Sequence, residues 1–191
     1  DYYSESRKEG IVTLTFDTEL FGHWWFEGPK FLEFLVKELA EAPVGWTSGE
    51  HYLDNYSVDA RCFLGETSWG EGGHYRVWFN PDVEWMWPQI YEAENTAYRA
   101  LRAGKNVVDD RLLKQLMREV LLLTASDWQF LITTGGAVDY AKERFAFHLA
   151  NVMDLSKAIL DKVSFDEERL MDLQDRDSLF YFLSPELVDL G

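Results

Sequence analysis

The sequence is poor in cysteine and in long apolar runs. Its 191 residues include one cysteine, Cys62, which excludes an intrachain disulfide and a cysteine-rich zinc site. No apolar run approaches the roughly 20 residues that a helix needs to cross a bilayer, and the N-terminus carries no signal-peptide pattern. Since free cysteine is typical of reducing compartments, we expect a cytoplasmic protein.

Positive charge is also scarce. Only 18 Lys and Arg stand against 34 Asp and Glu, which gives a formal net charge of -16. A surface of this sign repels nucleic-acid phosphates and anionic lipid headgroups, so we expect neither nucleic acid nor a membrane as a partner. Hydrophobic residues nevertheless make up 47% of the chain, which is enough for a sizeable core.

Aromatic side chains, by contrast, are abundant at 16% of the residues. Seven of the eight tryptophans precede residue 90, in a stretch rich in glycine. A single tryptophan more often fills a core, but a group of them in loops favours a binding surface for sugars or other flat, uncharged ligands. The loop residues His51 and His74 have no second ligand at metal spacing, and so we expect no metal ion and no cofactor.

Hydrophobic periodicity predicts one strand and several helices. Residues 11–16 form a β-branched, apolar run typical of a buried strand, and residues 31–42 show the apolar spacing of a helix. Further helices are predicted over residues 88–103, 109–125, 126–134, 137–161 and 165–175. Ser164 and Glu167 form a capping-box signature for the last of these helices. Because a lone strand cannot satisfy its backbone groups, we expect the chain to be the C-terminal piece of a larger α/β protein.

A carboxylate follows the predicted strand directly. In parallel α/β barrels, catalytic side chains lie at the carboxyl ends of the strands. Asp17 occupies that position in this sequence. The structural alternative is that Asp17 only caps a turn.

The segment from Phe16 to Pro29 reads FDTELFGHWWFEGP and is rich in rare residues. It resembles the fourth signature region of the glycoside hydrolase family 57 enzymes that act on α-glucans, most closely their 1,4-α-glucan branching enzymes. Further segments agree in order along the chain: Ser68-Trp69-Gly70, Trp78-Phe79-Asn80, Trp85-Met86-Trp87 and Ser126-Asp127-Trp128. The resemblance therefore covers nearly the whole chain.

The resemblance implies a mainly α fold in three parts. Residues 1–42 would be the last strand and helix of a (β/α)7 catalytic barrel, residues 43–87 a Trp- and Gly-rich active-site loop region, and residues 88–191 an α-helical C-terminal domain. The family is similar in mechanism to retaining glycosidases, with a glutamate nucleophile on an earlier barrel strand that has no counterpart in this sequence. The implied partners are an α-1,4-glucan of the amylose or glycogen type and the N-terminal barrel portion that supplies this glutamate.

The resemblance also assigns roles to individual residues. Asp17 matches the general acid/base. Trp69 and Trp78 are similar to the two tryptophans that shape the glucan acceptor site, and Asp127 matches an aspartate that reaches into the active cleft. His23 and Trp25 lie within the signature and are further candidates for substrate binding.

Several alternatives remain open at this stage. Within the family, the chain could belong to an α-amylase or a 4-α-glucanotransferase instead of a branching enzyme. Outside it, the chain could be a non-catalytic glucan-binding module, or a helical interaction domain whose tryptophans all fill the core. Because the nucleophile has no counterpart here, we expect the chain by itself to be catalytically inactive.

Overall fold

The computed structural model of the chain describes residues 10–22, 25–57 and 61–187. The chain divides into two compact units, Asp1–Leu64 and Gly65–Gly191. This division runs through the predicted loop region of residues 43–87, and the three-part assignment stays a prediction. All regular elements in the described ranges are helical, in agreement with the expected mainly α fold. None of the described helices is both long and apolar enough to cross a membrane.

The described part of the first unit contains two α-helices and a short turn. Its elements are a 3₁₀ turn at Thr18–Phe21, helix α1 at Gly28–Glu41 and helix α2 at Gly49–Asn55. Proline in the first turn of α1 is tolerated because its missing N–H would have no partner there in any case. The hydroxyl of Ser48 caps α2 by accepting from the N–H of His51 at 3.1 Å. The helix predicted over residues 31–42 is confirmed, whereas α2 lies in a stretch predicted to be irregular.

The strand predicted for residues 11–16 is not formed. Residues 10–17 have no regular secondary structure, and the side chains of residues 11–17 are exposed. A strand needs a neighbour that pairs with its N–H and C=O groups, and the described residues contain no second strand. The prediction was wrong because β propensity is local, whereas strand pairing is not.

The described part of the second unit is built from five α-helices. They are α3 at Met86–Gly104, α4 at Asp110–Leu123, α5 at Asp127–Thr134, α6 at Val138–Asp161 and α7 at Glu167–Arg176. Each helix begins and ends within two residues of its predicted bounds. Helix α6 packs against α3, α4 and α5, and it buries Phe145, Val152 and Leu155 at the centre of the core. Burial of each such side chain contributes about 1.5–3 kcal/mol.

Local chemistry sets the helix ends. Gly135 ends α5 with φ 73°, a left-handed conformation that glycine adopts without steric cost. Helix α7 begins after Asp166, whose carboxylate accepts from the N–H of Arg169 at 2.7 Å. The predicted capping box of Ser164 and Glu167 is therefore wrong, because the helix starts two residues later and Asp166 is its N-cap.

A hydrogen-bonded polar network lies inside this helical core. Glu119 of α4 is fully buried, and its carboxylate accepts from three side chains. The donors are Nδ1 of His148 at 2.7 Å, Nε2 of Gln115 at 2.7 Å and Nδ2 of Asn151 at 3.2 Å. The network joins α4 to α6 through polar contacts, and each bond prevents the cost of an unpaired buried group.

Candidate functional site

The predicted site residues are distributed over the two units. Asp17 and Trp25 belong to the first unit, and Trp69, Trp78 and Asp127 belong to the second. His23 lies outside the described residues.

Asp17 immediately precedes the 3₁₀ turn of the first unit. Its side chain is exposed and makes no capping hydrogen bond with the turn. The turn is closed by the backbone instead, since the N–H of Leu20 donates to the carbonyl oxygen of Asp17 at 3.1 Å. A capping role therefore does not account for a carboxylate at this position.

Aromatic rings pack together on both sides of Asp17 in the sequence. The ring centroids of Phe16 and Phe21 are 5.4 Å apart, and those of Trp25 and Phe31 are 5.0 Å apart. Both separations fall in the range of favourable aromatic pairs. Trp25 is half-buried.

Trp69 lies in a tight turn at the start of the second unit. The hydroxyl of Ser68 accepts from the N–H of Gly70 at 3.1 Å and donates to the carbonyl oxygen of His74 at 2.6 Å. A Cβ atom at Gly70 would stand 2.3 Å from that same carbonyl oxygen, so the turn requires glycine. The indole of Trp69 is 81% exposed, which excludes a core-filling role for this tryptophan.

Trp78 lines a pocket of about 290 Å³, which we call the tryptophan pocket. Its lining residues are Trp78, Trp87, Ile90, Tyr91, Glu94, Thr124, Ser126 and Gln129. They come from the loop before α3, from α3, from the connection between α4 and α5, and from α5 itself. A lining of aromatic faces with a few hydroxyl and amide groups suits a neutral ligand that has both an apolar face and hydroxyls.

Two tryptophans of the pocket are joined by a hydrogen bond. Nε1 of Trp87 donates to the carbonyl oxygen of Trp78 at 2.9 Å. One turn further along α3, the ring of Tyr91 lies 5.9 Å from the ring of Trp87. Trp87, Tyr91 and Glu94 recur at spacings of four and three residues, which places them along one side of the helix.

Two buried polar atoms of the pocket have no hydrogen-bond partner among the described residues. They are Nε1 of Trp78 and Oε1 of Gln129, and Gln129 is only 3% exposed. An unpaired buried donor or acceptor costs about 1–3 kcal/mol. Oγ of Ser156 and Oδ2 of Asp177 are likewise buried without a partner among the described residues, although neither residue lines the pocket.

Asp127 is the first residue of α5 and is exposed. It directly follows Ser126 of the tryptophan pocket. The next residue, Trp128, is buried and donates from Nε1 to the carbonyl oxygen of Leu122 at 2.8 Å. Within the Ser-Asp-Trp segment, Asp127 is therefore a surface residue and Trp128 is a core residue.

A separate group of ionisable side chains lies inside the second unit. Glu119, His148 and Asp177 are buried, and their potential ligand atoms lie within 4.8 Å of one another. Arg144, however, interacts with Nε2 of His148 at 2.9 Å and donates to Oδ1 of Asp177 at 3.2 Å. Because arginine can only donate, Nε2 of His148 accepts and Nδ1–H donates to Glu119. The guanidinium pairs with Asp177, and the Glu119 carboxylate accepts from His148, Gln115 and Asn151, so we interpret the group as structural.

Four residues of the tryptophan pocket have no role predicted from the sequence: Trp87, Tyr91, Glu94 and Gln129. The first three share one side of α3, and their helical spacing from a Trp-Met-Trp segment was a usable signal. Gln129 carries no such signal, because a buried glutamine and a surface glutamine look alike in a sequence.

Residues 89–187 match the protein family described as 1,4-alpha-glucan branching enzyme, C-terminal. The chain belongs to this family. Over 179 residues it is 40% identical to a 1,4-alpha-glucan branching enzyme of Thermococcus kodakarensis, which covers 91% of this chain and 26% of that enzyme. This family member therefore spans about a quarter of the length of that relative. The predicted resemblance to branching enzymes is confirmed.

Solved structures agree with the family assignment. The crystal structure of the Thermococcus glycoside hydrolase family 57 branching enzyme matches with a TM-score of 0.74 and 36% identity, over 98% of this chain and 36% of that one. The corresponding enzyme of Pyrococcus horikoshii matches with a TM-score of 0.68 and 35% identity, over 98% and 37%. An alpha-amylase of Thermotoga maritima matches with a TM-score of 0.65 and 25% identity, over 97% and 34%.

Proposed function

We propose that this family member is the C-terminal portion of a retaining α-glucan branching enzyme and forms the acceptor side of its active site. Asp17 is the general acid/base, and the glutamate nucleophile comes from the N-terminal barrel portion of the same protein. The substrate is an α-1,4-glucan, and the product carries a new α-1,6 branch.

The tryptophan pocket carries this proposal. Six of its eight lining residues fall within the segment that matches the branching enzyme family, from Ile90 to Gln129. The pocket combines the aromatic side chains of Trp78, Trp87 and Tyr91 with hydroxyl and amide groups. A glucose unit has the complementary surface, since it presents an apolar ring face bordered by hydroxyls.

The first unit supports a place in a barrel. In its described part, Gly28 is the one buried residue, while Phe26 and Phe63 are each 95% exposed. An apolar surface of this kind is typical of a segment that packs against another part of its protein. In the proposal, the rest of the (β/α)7 barrel covers this surface.

The proposed reaction has two steps. The glutamate attacks the anomeric carbon while Asp17 protonates the departing 4-oxygen, so a covalent glycosyl-enzyme forms and the 1,4 bond breaks. Asp17 then takes the proton of an incoming 6-hydroxyl, whose oxygen displaces the glutamate and forms the 1,6 bond. Trp69, Trp78 and Asp127 hold the acceptor chain, and His23 and Trp25 bind glucan beside the acid/base. By occupying the acceptor side, the glucan chain excludes water and favours transfer over hydrolysis.

The test is product analysis with the full-length protein. Incubation with amylose is expected to give new 1,6 linkages in the proton NMR spectrum, while the 191-residue chain alone gives none. New reducing ends without 1,6 linkages would instead indicate an α-amylase, the activity named for the Thermotoga structure. Redistributed 1,4-linked chains would indicate a 4-α-glucanotransferase. Binding of maltoheptaose without any turnover would indicate a non-catalytic glucan-binding module.

A further inference from the structure

Ser68 holds together the turn that carries Trp69. Its N–H donates to the carbonyl oxygen of Gly73 at 3.0 Å, and its hydroxyl donates to the carbonyl oxygen of His74 at 2.6 Å. The same hydroxyl accepts from the N–H of Gly70 at 3.1 Å. A single hydroxyl therefore joins the backbone just after Trp69 to the far side of the turn.

The turn also contacts Trp78. A Cβ atom at Gly70 would stand 3.3 Å from Cζ3 of the Trp78 indole, so Gly70 packs directly against that ring. Further along the chain, the N–H of Trp78 donates to the carbonyl oxygen of Tyr75 at 3.0 Å. The hydroxyl of Tyr75 in turn donates to the carbonyl oxygen of Thr67 at 3.2 Å. The closed turn therefore sets the position of the Trp69 backbone relative to Trp78.

We propose that Ser68 is a positioning residue for glucan transfer, because it fixes the backbone from which the exposed indole of Trp69 projects. A side chain or loop that becomes ordered only when a ligand binds weakens that binding by the conformational freedom it loses. A turn that hydrogen bonds have already closed reduces this cost. The inference rests on the proposed function, since that function assigns Trp69 to the acceptor chain.

The neighbouring hydroxyl of Thr67 makes a weaker contact in the same turn. Its Oγ1 atom lies 3.4 Å from the carbonyl oxygen of Gly73, whereas hydroxyl hydrogen bonds usually measure about 2.5–3.0 Å. The bond from the Ser68 hydroxyl to His74 falls within that range. Two adjacent hydroxyls thus differ in how strongly they close the turn, which makes Thr67 a matched reference for Ser68.

The first test removes the Ser68 hydroxyl in the full-length protein. Ser68→Ala is expected to lower the ratio of branching to hydrolysis of amylose about two- to tenfold, the equivalent of one lost hydrogen bond. The rate of glycosyl-enzyme formation from α-glucosyl fluoride is expected to stay unchanged, because both carboxylates of the proposed reaction remain. Ser68→Thr keeps a hydroxyl and is expected to restore the product ratio.

Thr67→Val is the matched control, and Tyr75→Phe is the second variant. Thr67→Val keeps the shape of the side chain and removes only the weakly bonded hydroxyl, so the product ratio is expected to stay the same. Tyr75→Phe keeps the ring but removes the bond that closes the turn at its other end. It is expected to lower the product ratio in the same direction as Ser68→Ala.

A spectroscopic measurement tests the positioning of Trp69 directly. The full-length protein is labelled with 5-fluorotryptophan, and the ¹⁹F signal of Trp69 is assigned through Trp69→Phe. This signal is expected to narrow in Ser68→Ala, because the indole gains motion when the turn loosens. It is expected to keep its width in Thr67→Val.

Three results would overturn the inference. The first is an unchanged product ratio in both Ser68→Ala and Tyr75→Phe. The second is an equal fall of the ratio in Ser68→Ala and Thr67→Val, and the third is an unchanged ¹⁹F signal in Ser68→Ala.

The outcome for the proposed function is read from the unsubstituted protein. If that protein forms 1,6 linkages, the proposed function stands whatever the Ser68 variants do. If it forms none, while Ser68→Ala lowers the ratio of 1,4 transfer to hydrolysis, the positioning role is supported and the branching function fails.

Discussion

Trp87 donates its indole N–H to the carbonyl oxygen of Trp78 at 2.9 Å, and so binds the loop before α3 to the first turn of that helix. The same loop is held a second time by Thr133 of α5. The hydroxyl of Thr133 donates to the carbonyl oxygen of Val77 at 2.7 Å and accepts from Nδ2 of Asn80 at 2.9 Å. Trp78 is thus positioned by two helices, although it lies outside both.

The link through Thr133 gives a prediction for acceptor binding. Thr133→Val removes both hydrogen bonds to the loop, so we expect a severalfold higher KM for the glucan acceptor and a stability loss of about 1 kcal/mol. Thr134→Val is the control, because its hydroxyl donates only within α5, to the carbonyl oxygen of Phe130 at 2.8 Å. An equal rise in KM for both variants would show that Thr133 has no specific effect on the loop. The measurement is steady-state branching kinetics with the full-length protein.

Exposure separates Trp69 from the tryptophans of the core. Trp69→Ala is expected to change the free energy of unfolding by no more than about 0.5 kcal/mol, since the indole is exposed. The ratio of branching to hydrolysis should fall, because a stacking surface for the acceptor is lost. Trp128→Ala, which empties a core site, should instead cost about 3–5 kcal/mol. The role proposed for Trp69 is wrong if the product ratio does not change.

Asp17 can be tested with a donor whose leaving group needs no proton. General acid assistance is worth roughly 10²–10⁴-fold, so Asp17→Ala in the full-length protein should almost abolish reaction with amylose. Fluoride departs without protonation, and so α-glucosyl fluoride should still form the glycosyl-enzyme. Added azide, which needs no base, should then release a glycosyl azide of retained configuration.

Glu19→Ala is the control for this experiment, because Glu19 is an exposed carboxylate in the same turn. It should react with amylose at nearly the normal rate. Mass spectrometry would detect the glycosyl-enzyme from the fluoride donor. A folded Asp17→Ala variant that forms no such intermediate would refute the acid/base role and indicate a nucleophile or a positioning group.

The buried network predicts a large effect on stability. Glu119→Ala leaves the donors of His148 and Asn151 unpaired, while Nε2 of Gln115 keeps the carbonyl oxygen of Leu173 as an acceptor at 3.3 Å. Loss of one partner of a buried charged network costs about 3–5 kcal/mol. Glu143→Ala on the exposed surface of α6 should stay within about 0.5 kcal/mol. Chemical denaturation of both variants checks the difference. A rise in the thermal midpoint of the unsubstituted protein with added zinc would contradict the structural interpretation and favour a metal site.

The helices of the second unit could be predicted because their signals are local. Each has an apolar repeat of sufficient length, and Gly135 marks an end that needs a left-handed residue. The seven-residue helix α2 was missed because it is too short for a periodic pattern, and Ser48 was its only signal. The prediction of a strand at residues 11–16 was wrong for the opposite reason. Its local β propensity is strong, but strand formation needs a pairing partner that is distant in the sequence or outside this chain.

Site residues could be predicted from the sequence only where they lie within a recognisable motif. Trp69, Trp78 and Asp127 lie in segments that resemble a known family, and the family assignment is confirmed. Their roles remain predictions. Gln129 is buried, and its Oε1 atom has no hydrogen-bond partner among the described residues. Whether such an atom is paired depends on all the side chains that surround it in space. No pattern of residues in one sequence encodes that property.

The central position of α6 has a consequence for hydrogen exchange. Local opening of α3, α4 or α5 leaves α6 in contact with the other two helices, whereas opening α6 removes a packing partner from all three at once. The amide protons near residues 145–155 should therefore exchange with solvent only when the whole helical unit unfolds. Amides at the ends of α5 and α7 can exchange through fraying alone. The helices that carry the tryptophan pocket thus open more readily than the helix on which all of them pack.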